Sequence, residues 1–133
     1  MKRKTISKIA YMALCAMLTI MISATPDDAS MTKSKDTTVV NTKLIAKDVK
    51  GYRGATPVKI YIKKGKVVKV EALPNRETPK YFQLAKAVLN EFNGKTVAKA
   101  AEMKVDGVSG ATFTSEALVQ NVKEGLKYYK KHR

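Results

Sequence analysis

Val58, Ile60 and Ile62 alternate with Lys59, Tyr61 and Lys63, and after Lys64-Gly65 the run Val67 to Leu73 returns with its own mixture of apolar and polar residues. A period of two is the mark of a strand with one dry and one wet face, and a two-residue connection containing glycine folds it back as an antiparallel hairpin. A hairpin alone is marginal in water, so its apolar face requires a covering layer from elsewhere in the chain. Upstream, Leu44 to Val49 is strand-like and the turn Gly51-Tyr52-Arg53-Gly54 leads toward Val58. These three segments predict an antiparallel meander, with Val68, Val70 and Ala72 on one side of its last strand.

The covering layer is legible downstream. Pro74 closes the sheet and Pro79 opens a helix in which Tyr81, Leu84, Ala85, Val88, Leu89 and Phe92 recur at helical spacing as one apolar stripe. Asn93-Gly94 ends it in the manner of a helix C-terminus. Lys95 to Met103 is a weaker, alanine-rich segment, helical or irregular. A last helix is predicted from about Phe113 to Lys130, burying Leu118, Val119, Val122, Leu126 and Tyr129, with Lys127, Lys130 and Lys131 near its negative end. The expected fold is a small α+β domain, an antiparallel β-meander packed against two or three helices. At 133 residues the chain has room for one such domain.

The first quarter of the chain reads differently. Lys2, Arg3, Lys4 and Lys8 precede an uncharged apolar run, Ile9 to Ala24, which is the layout of a signal peptide; a retained N-terminal anchor is the alternative. Residues 1–24 are therefore expected to be a signal or anchor, 25–42 a flexible tether rich in Thr, Ser, Asp and Lys, and 43–133 the folded domain. The protein is expected to be exported, periplasmic or associated with the outer side of the cytoplasmic membrane.

Two residue types narrow the chemistry. Cys15 lies within the apolar run behind Leu14, which argues against lipid attachment, and a chain cleaved after Ala24 has no cysteine for disulfides, thiolate clusters or thiolate catalysis. The one histidine, His132, reads as a solvated tail residue, so a Ser/His/Asp triad or a Cys/His zinc site lacks its parts, and no metal site is expected. The full chain carries a net charge of +15. Loss of residues 1–24 removes four of the 26 basic residues and none of the 11 acidic ones, leaving +11. The lysines are spread along the chain without a nucleic-acid motif, so acidic protein partners or an anionic membrane surface are expected rather than nucleic acid.

One stretch is not explained by packing. Val105 to Leu118, VDGVSGATFTSEAL, places Ser109, Thr112, Thr114 and Ser115 just before and within the start of the last helix. A cap uses one such residue, at about 1 kcal/mol, and neither Thr112 nor Ser115 has Glu or Gln three residues on. Capping accounts for Thr114 or Ser115 and leaves the others without a role.

Asp106-Gly107-Val108-Ser109-Gly110-Ala111-Thr112 resembles the D-G-x-[ST]-G-A-T signature of the FMN-binding domain family, whose members include the covalent-flavin domains of the sodium-pumping NADH:quinone reductase and of the Rnf complex. The resemblance implies FMN joined through its phosphate to Thr112, with Thr114 as the neighbouring alternative, by a flavin transferase that takes the FMN half of FAD. The residue types suit that chemistry. A phosphoester needs a hydroxyl nucleophile activated by the transferase, Gly110 and Ala111 leave that hydroxyl unshielded, and a helix start favours a bound phosphate. Asp106 either braces the turn or is read by the transferase.

The similarity extends upstream through Gly51-Tyr52-Arg53-Gly54, Lys64-Gly65-Lys66 and Glu77-Thr78-Pro79, in the family's order. Relatives continue from the last of these with a Gly-Leu-Gly loop that helps bed the flavin; here Lys80-Tyr81-Phe82 stands instead. Tyr81 and Phe82 fit the helix stripe, so packing is their preferred role and stacking on the isoalloxazine the alternative. Tyr52 is a turn aromatic by position and a flavin neighbour by resemblance. The cofactor-binding set implied is Tyr52, Glu77, Thr78, Asp106, Ser109, Gly110, Ala111, Thr112 and Thr114. The leading expectation is an exported electron carrier with covalent FMN, a redox protein working with partner proteins rather than a self-sufficient enzyme. A non-redox secreted binding or inhibitory module and a polyanion binder are the alternatives from other classes.

Overall fold

The computed structural model describes residues 29–133, in which one antiparallel sheet is covered on one face by helices. The strands are β1 (Met31–Ser34), β2 (Thr37–Asn41), β3 (Val58–Lys63) and β4 (Lys66–Ala72), adjacent in chain order. Helix α1 (Pro79–Ala85) runs into a 3₁₀ segment (Lys86–Phe92), followed by α2 (Val97–Glu102) and the long α3 (Thr112–His132). This is the expected α+β architecture, with a four-stranded meander.

The core lies between the sheet and α3. Val40, Val58, Ile60 and Ile62 face Leu118, Val122 and Leu126, and Val88, Leu89 and Phe92 of the 3₁₀ segment close the side. Full burial of one such side chain contributes about 1.5–3 kcal/mol, so this cluster is the main stabilising term. The free edge of β4 is covered by the chain that follows the 3₁₀ segment. Val67 N–H donates to Lys95 O at 2.8 Å, Gly94 N–H to Val67 O at 2.7 Å, and Val97 N–H to Gly65 O at 2.9 Å.

Several expectations change. The tether predicted over 25–42 is structured from its described part onward, because β1 and β2 form a hairpin that extends the sheet beyond β3. Thr37, Thr38, Val39 and Val40 are β-branched strand formers, but only Val40 of the four is fully buried, so no apolar run marks the strand. Leu44 to Val49 is not a strand; Lys43 to Asp48 form consecutive turns, and Leu44 is exposed. In β4 the dry side is led by Val67 rather than Val68. A bulge shifts the register so that Tyr61 pairs with Lys69 while Ile62 pairs with Val67, leaving Val68 as the extra residue in water.

The α1 stripe is also split. After Ala85 the chain tightens to three residues per turn, and the buried face then runs through Val88, Leu89 and Phe92 while Tyr81 and Leu84 remain about half exposed. The last helix begins one residue earlier than predicted and ends two later. None of the described helices is long and apolar enough to cross a membrane, and the predicted signal segment 1–24 lies outside the described residues.

A buried polar cluster fixes α3 on the sheet. Asn121, Thr42 and Thr56 are each at most 1 % exposed. Thr42 Oγ1 accepts from Val58 N–H at 2.9 Å and donates to Asn121 Oδ1 at 2.8 Å, while Asn121 Nδ2 donates to Thr56 Oγ1 at 3.2 Å and to Ala117 O at 2.9 Å. Every polar atom of the amide is used, and sliding α3 by one residue breaks the set. Asn121→Ala is therefore expected to destabilise the domain by about 2–4 kcal/mol, since it removes the buried partner of both the Thr42 and Thr56 hydroxyls and opens a void. Urea denaturation followed by circular dichroism measures it; a loss below about 0.5 kcal/mol contradicts the assignment.

Candidate functional site

Three segments meet at the N-terminal end of α3: the turn 51–54, the stretch 75–78 that enters α1, and the turn 109–111. Glu77 joins them. Its side chain is 6 % exposed and carries no cation partner among the described residues. Oε1 accepts from Tyr52 N–H at 2.7 Å and from the Thr114 hydroxyl at 2.8 Å, and Oε2 accepts from Arg53 N–H at 2.6 Å. Two successive backbone N–H groups thus aim at one carboxylate, an anion-holding arrangement of main chain. Asn75 Oδ1 holds the Glu77 N–H at 3.0 Å and so sets the approach of the segment.

The turn 51–54 comes close because residue 51 has no side chain. A Cβ on Gly51 would collide with Glu77 Oε1 and press on the Thr114 backbone, so only glycine admits the carboxylate at this point. Gly51 N–H closes its own turn on Gly54 O at 2.8 Å.

The entry to α3 is built by Ser115 and Gly110. Ser115 Oγ is fully buried, accepts from Val108 N–H at 2.9 Å and donates to Thr112 O at 3.0 Å, tying the incoming loop to the first helical turn. Gly110 sits at φ +85°, the left-handed region, and lets the chain reverse before Ala111. Ala111 is the residue at the N-cap and contributes no side-chain cap. The expectation that Thr114 or Ser115 caps the helix is therefore corrected, because both hydroxyls are already engaged, one with Glu77 and the other with Val108 and Thr112. Among the described residues the first N–H groups of α3 have no side-chain acceptor, and the first turn holds no acidic residue.

Thr112 is the first residue of α3 and is exposed. Its hydroxyl has one long contact, 3.5 Å to Val108 O, at the limit of a hydrogen bond. It lines an open cleft of about 540 Å³ with Gly110, Ala111 and Thr114 on one side and Glu77, Thr78 and Tyr81 on the other. Tyr52 and Phe113 complete the rim, their ring centroids 6.4 Å apart. Tyr52 is 78 % exposed, Phe113 68 % and Tyr81 47 %, so three aromatic rings stand in water around one cleft. Isolated exposed apolar side chains are ordinary; a cluster of rings at one concavity marks a site for a flat apolar ligand.

Of the nine residues predicted for the site, Tyr52, Glu77, Thr78, Gly110, Ala111, Thr112 and Thr114 line the cleft. Ser109 and Asp106 do not. Ser109 is exposed on the turn, and Asp106 is exposed beside a separate depression shared with Glu91 and Lys104, its carboxylate making no hydrogen bond with the turn. Within the lining, Glu77 and Thr114 are occupied with each other, whereas the Thr112 hydroxyl has only its long contact to Val108 O and Thr78 makes no side-chain cap bond to α1. Phe113 and Tyr81 carry more of the rim than their sequence positions suggest. Phe113 lies off the buried face of α3 that runs through Leu118, Val122 and Leu126, which is a legible signal; the rotation of Tyr81 follows from the 3₁₀ segment and is not.

A family model described as FMN-binding domain matches residues 51–127, more than half of the chain and all three segments of the cleft. A search of curated proteins gave no match.

Glu77→Gln replaces one acceptor oxygen by an NH₂ group facing a backbone donor. It is expected to lower stability by about 1–3 kcal/mol, measured by urea denaturation. Gly51→Ala is expected to act in the same direction through collision with the same carboxylate. A neutral outcome in both contradicts the role of Glu77 as the junction.

Proposed function

Because the chain belongs to the FMN-binding domain family, a flavin-binding electron-transfer role follows from that membership, and we propose that it is an exported electron carrier whose FMN is joined by a phosphoester to Thr112. The observation that carries the proposal is the contrast between two hydroxyls. Thr112 Oγ1 is exposed at the cleft and nearly unengaged, while Thr114 Oγ1 is buried and donates to Glu77.

The residues of the cleft fit the group. A phosphate ester on Thr112 meets the free N–H groups and positive end of α3, with no acidic side chain in that first turn to oppose it. Tyr52, Tyr81 and Phe113 would hold the flat ring system, and Thr78 would offer it a hydroxyl from the opposite wall. Tyr81, half exposed at the cleft, would be free to stack on the ring, the secondary reading of its place on the helix stripe. When bound, FMN supplies the redox chemistry, and the protein supplies attachment, orientation and a semi-enclosed environment.

Attachment balances as a transfer. Thr112 Oγ1 bonds to the flavin-side phosphorus of FAD, the pyrophosphate P–O bond breaks, AMP leaves, and the hydroxyl proton passes to a base of the transferase. Gly110 and Ala111 add no bulk beside that hydroxyl, which supports access by a second protein's active site. Export is supported by the basic residues at 2–8 followed by the apolar run Ile9 to Ala24. A covalent bond retains the cofactor outside the cell, where a dissociating flavin is lost. Redox partner proteins would then meet the flavin at the open side of the cleft.

The chain expressed with a flavin transferase in an exporting host is expected to gain the mass of FMN less one water. Thr112→Ala is expected to abolish the gain, and Thr114→Val to keep it at reduced stability. Intact-mass spectrometry under denaturing conditions reads all three. An unmodified parent, or a gain that persists in Thr112→Ala and vanishes in Thr114→Val, contradicts the proposal.

A further inference from the structure

The far half of α3 carries a second feature that the flavin site does not use. Lys123, Lys127, Lys130 and Lys131 recur along one side of the helix and, with Ala101 of α2, border a shallow groove of about 550 Å³. The acidic residue beside them, Glu124, accepts a hydrogen bond from Gln120 at 3.0 Å, and none of the four lysines is paired with a carboxylate among the described residues. The helix dipole favours these charges, since Lys130 and Lys131 lie in its last turn. Unpaired like charges held side by side repel one another, and a polyanionic surface relieves that repulsion.

We propose that this lysine face docks the protein on an anionic phospholipid surface. Two observations favour lipid over an acidic redox partner. The lysines lie about 16 to 28 Å along the helix axis from Thr112, at ~1.5 Å per residue, so a protein docked on them sits away from the flavin cleft. Protein interfaces also depend on buried aromatic or arginine anchors, and the lining of this groove contains neither; the exposed rings Tyr52, Tyr81 and Phe113 gather at the cleft by the other end of α3. Lysines attract a charged bilayer additively and without specific geometry, over roughly one Debye length, ~8 Å in physiological salt. Docked in this way, α3 separates the two functions, with its C-terminal half against the membrane and its N-terminal cleft away from it.

Charge and helix geometry carry this docking face, and flavin-free protein tests it equally well, so its failure is distinct from failure of the flavin reading. The full chain is incubated with vesicles of phosphatidylcholine alone and with vesicles containing equal parts phosphatidylglycerol, and partition is read by co-sedimentation at low and high salt. The neutral vesicles report any binding by the N-terminal apolar run. The increment due to phosphatidylglycerol is expected to fall at least about tenfold in Lys123→Gln/Lys127→Gln/Lys130→Gln. It should be largely retained in the charge-matched control Lys64→Gln/Lys66→Gln/Lys86→Gln, with both variants folded by circular dichroism. Equal losses in the two variants would assign the binding to net charge and overturn the proposal. Absence of an increment overturns it too, and retention on soluble polyglutamate in place of vesicles, with the same lysine dependence, assigns the face to an acidic protein instead.

Discussion

A carboxylate taken out of water needs a cation or several donors, and Glu77 finds three donors and, among the described residues, no cation. The desolvation of an ion costs several kcal/mol, so the segments that supply those donors are held to one arrangement. They come from parts of the chain 24 to 37 residues away in sequence: Tyr52 and Arg53 on one side, Thr114 on the other. The cleft is the space left between them. Its shape therefore depends on a bond set among the protein's own groups, so the cleft is preorganised for whatever binds there.

The second constraint is the Thr42–Asn121–Thr56 cluster, which sets where α3 lies on the sheet. An apolar stripe tolerates sliding and rotation, whereas a fully satisfied amide in a dry interior does not. With Asn121 fixed, the start of the same helix is fixed as well, and Thr112 arrives at the cleft with Thr114 facing Glu77. The helix thus transmits the register of the core to the site. Its two ends also differ in electrical character, with N–H groups of the first turn at the cleft and lysines at the other end.

Sequence patterns revealed most of the frame. The hairpin β3–β4 and the long α3 were legible because alternation and helical spacing there reflect one-sided burial. The motif ending in Thr112 was legible through its small and hydroxyl residues. The hairpin β1–β2 was hidden, since Thr37 to Val40 send one fully buried side chain to the core among lysines and hydroxyls. The β4 phase was hidden by a bulge at Val68, and the exposure of Tyr81 by a change from α to 3₁₀ geometry that no periodicity announces. The three-donor role of Glu77 depends on partners distant in sequence, and only the fold brings them together. Residues 31–41 lie before the matched family region, yet they complete the sheet, so the folded unit begins earlier than the family model.

The most direct test of the site is a crystal structure of the flavin-loaded protein. The expected result is continuous density from Thr112 Oγ1 to the flavin phosphate, the ring system among Tyr52, Tyr81 and Phe113, and Glu77 still accepting from Tyr52, Arg53 and Thr114. Density joined to Thr114, or a flavin bound outside this cleft with Glu77 released from its donors, would contradict it.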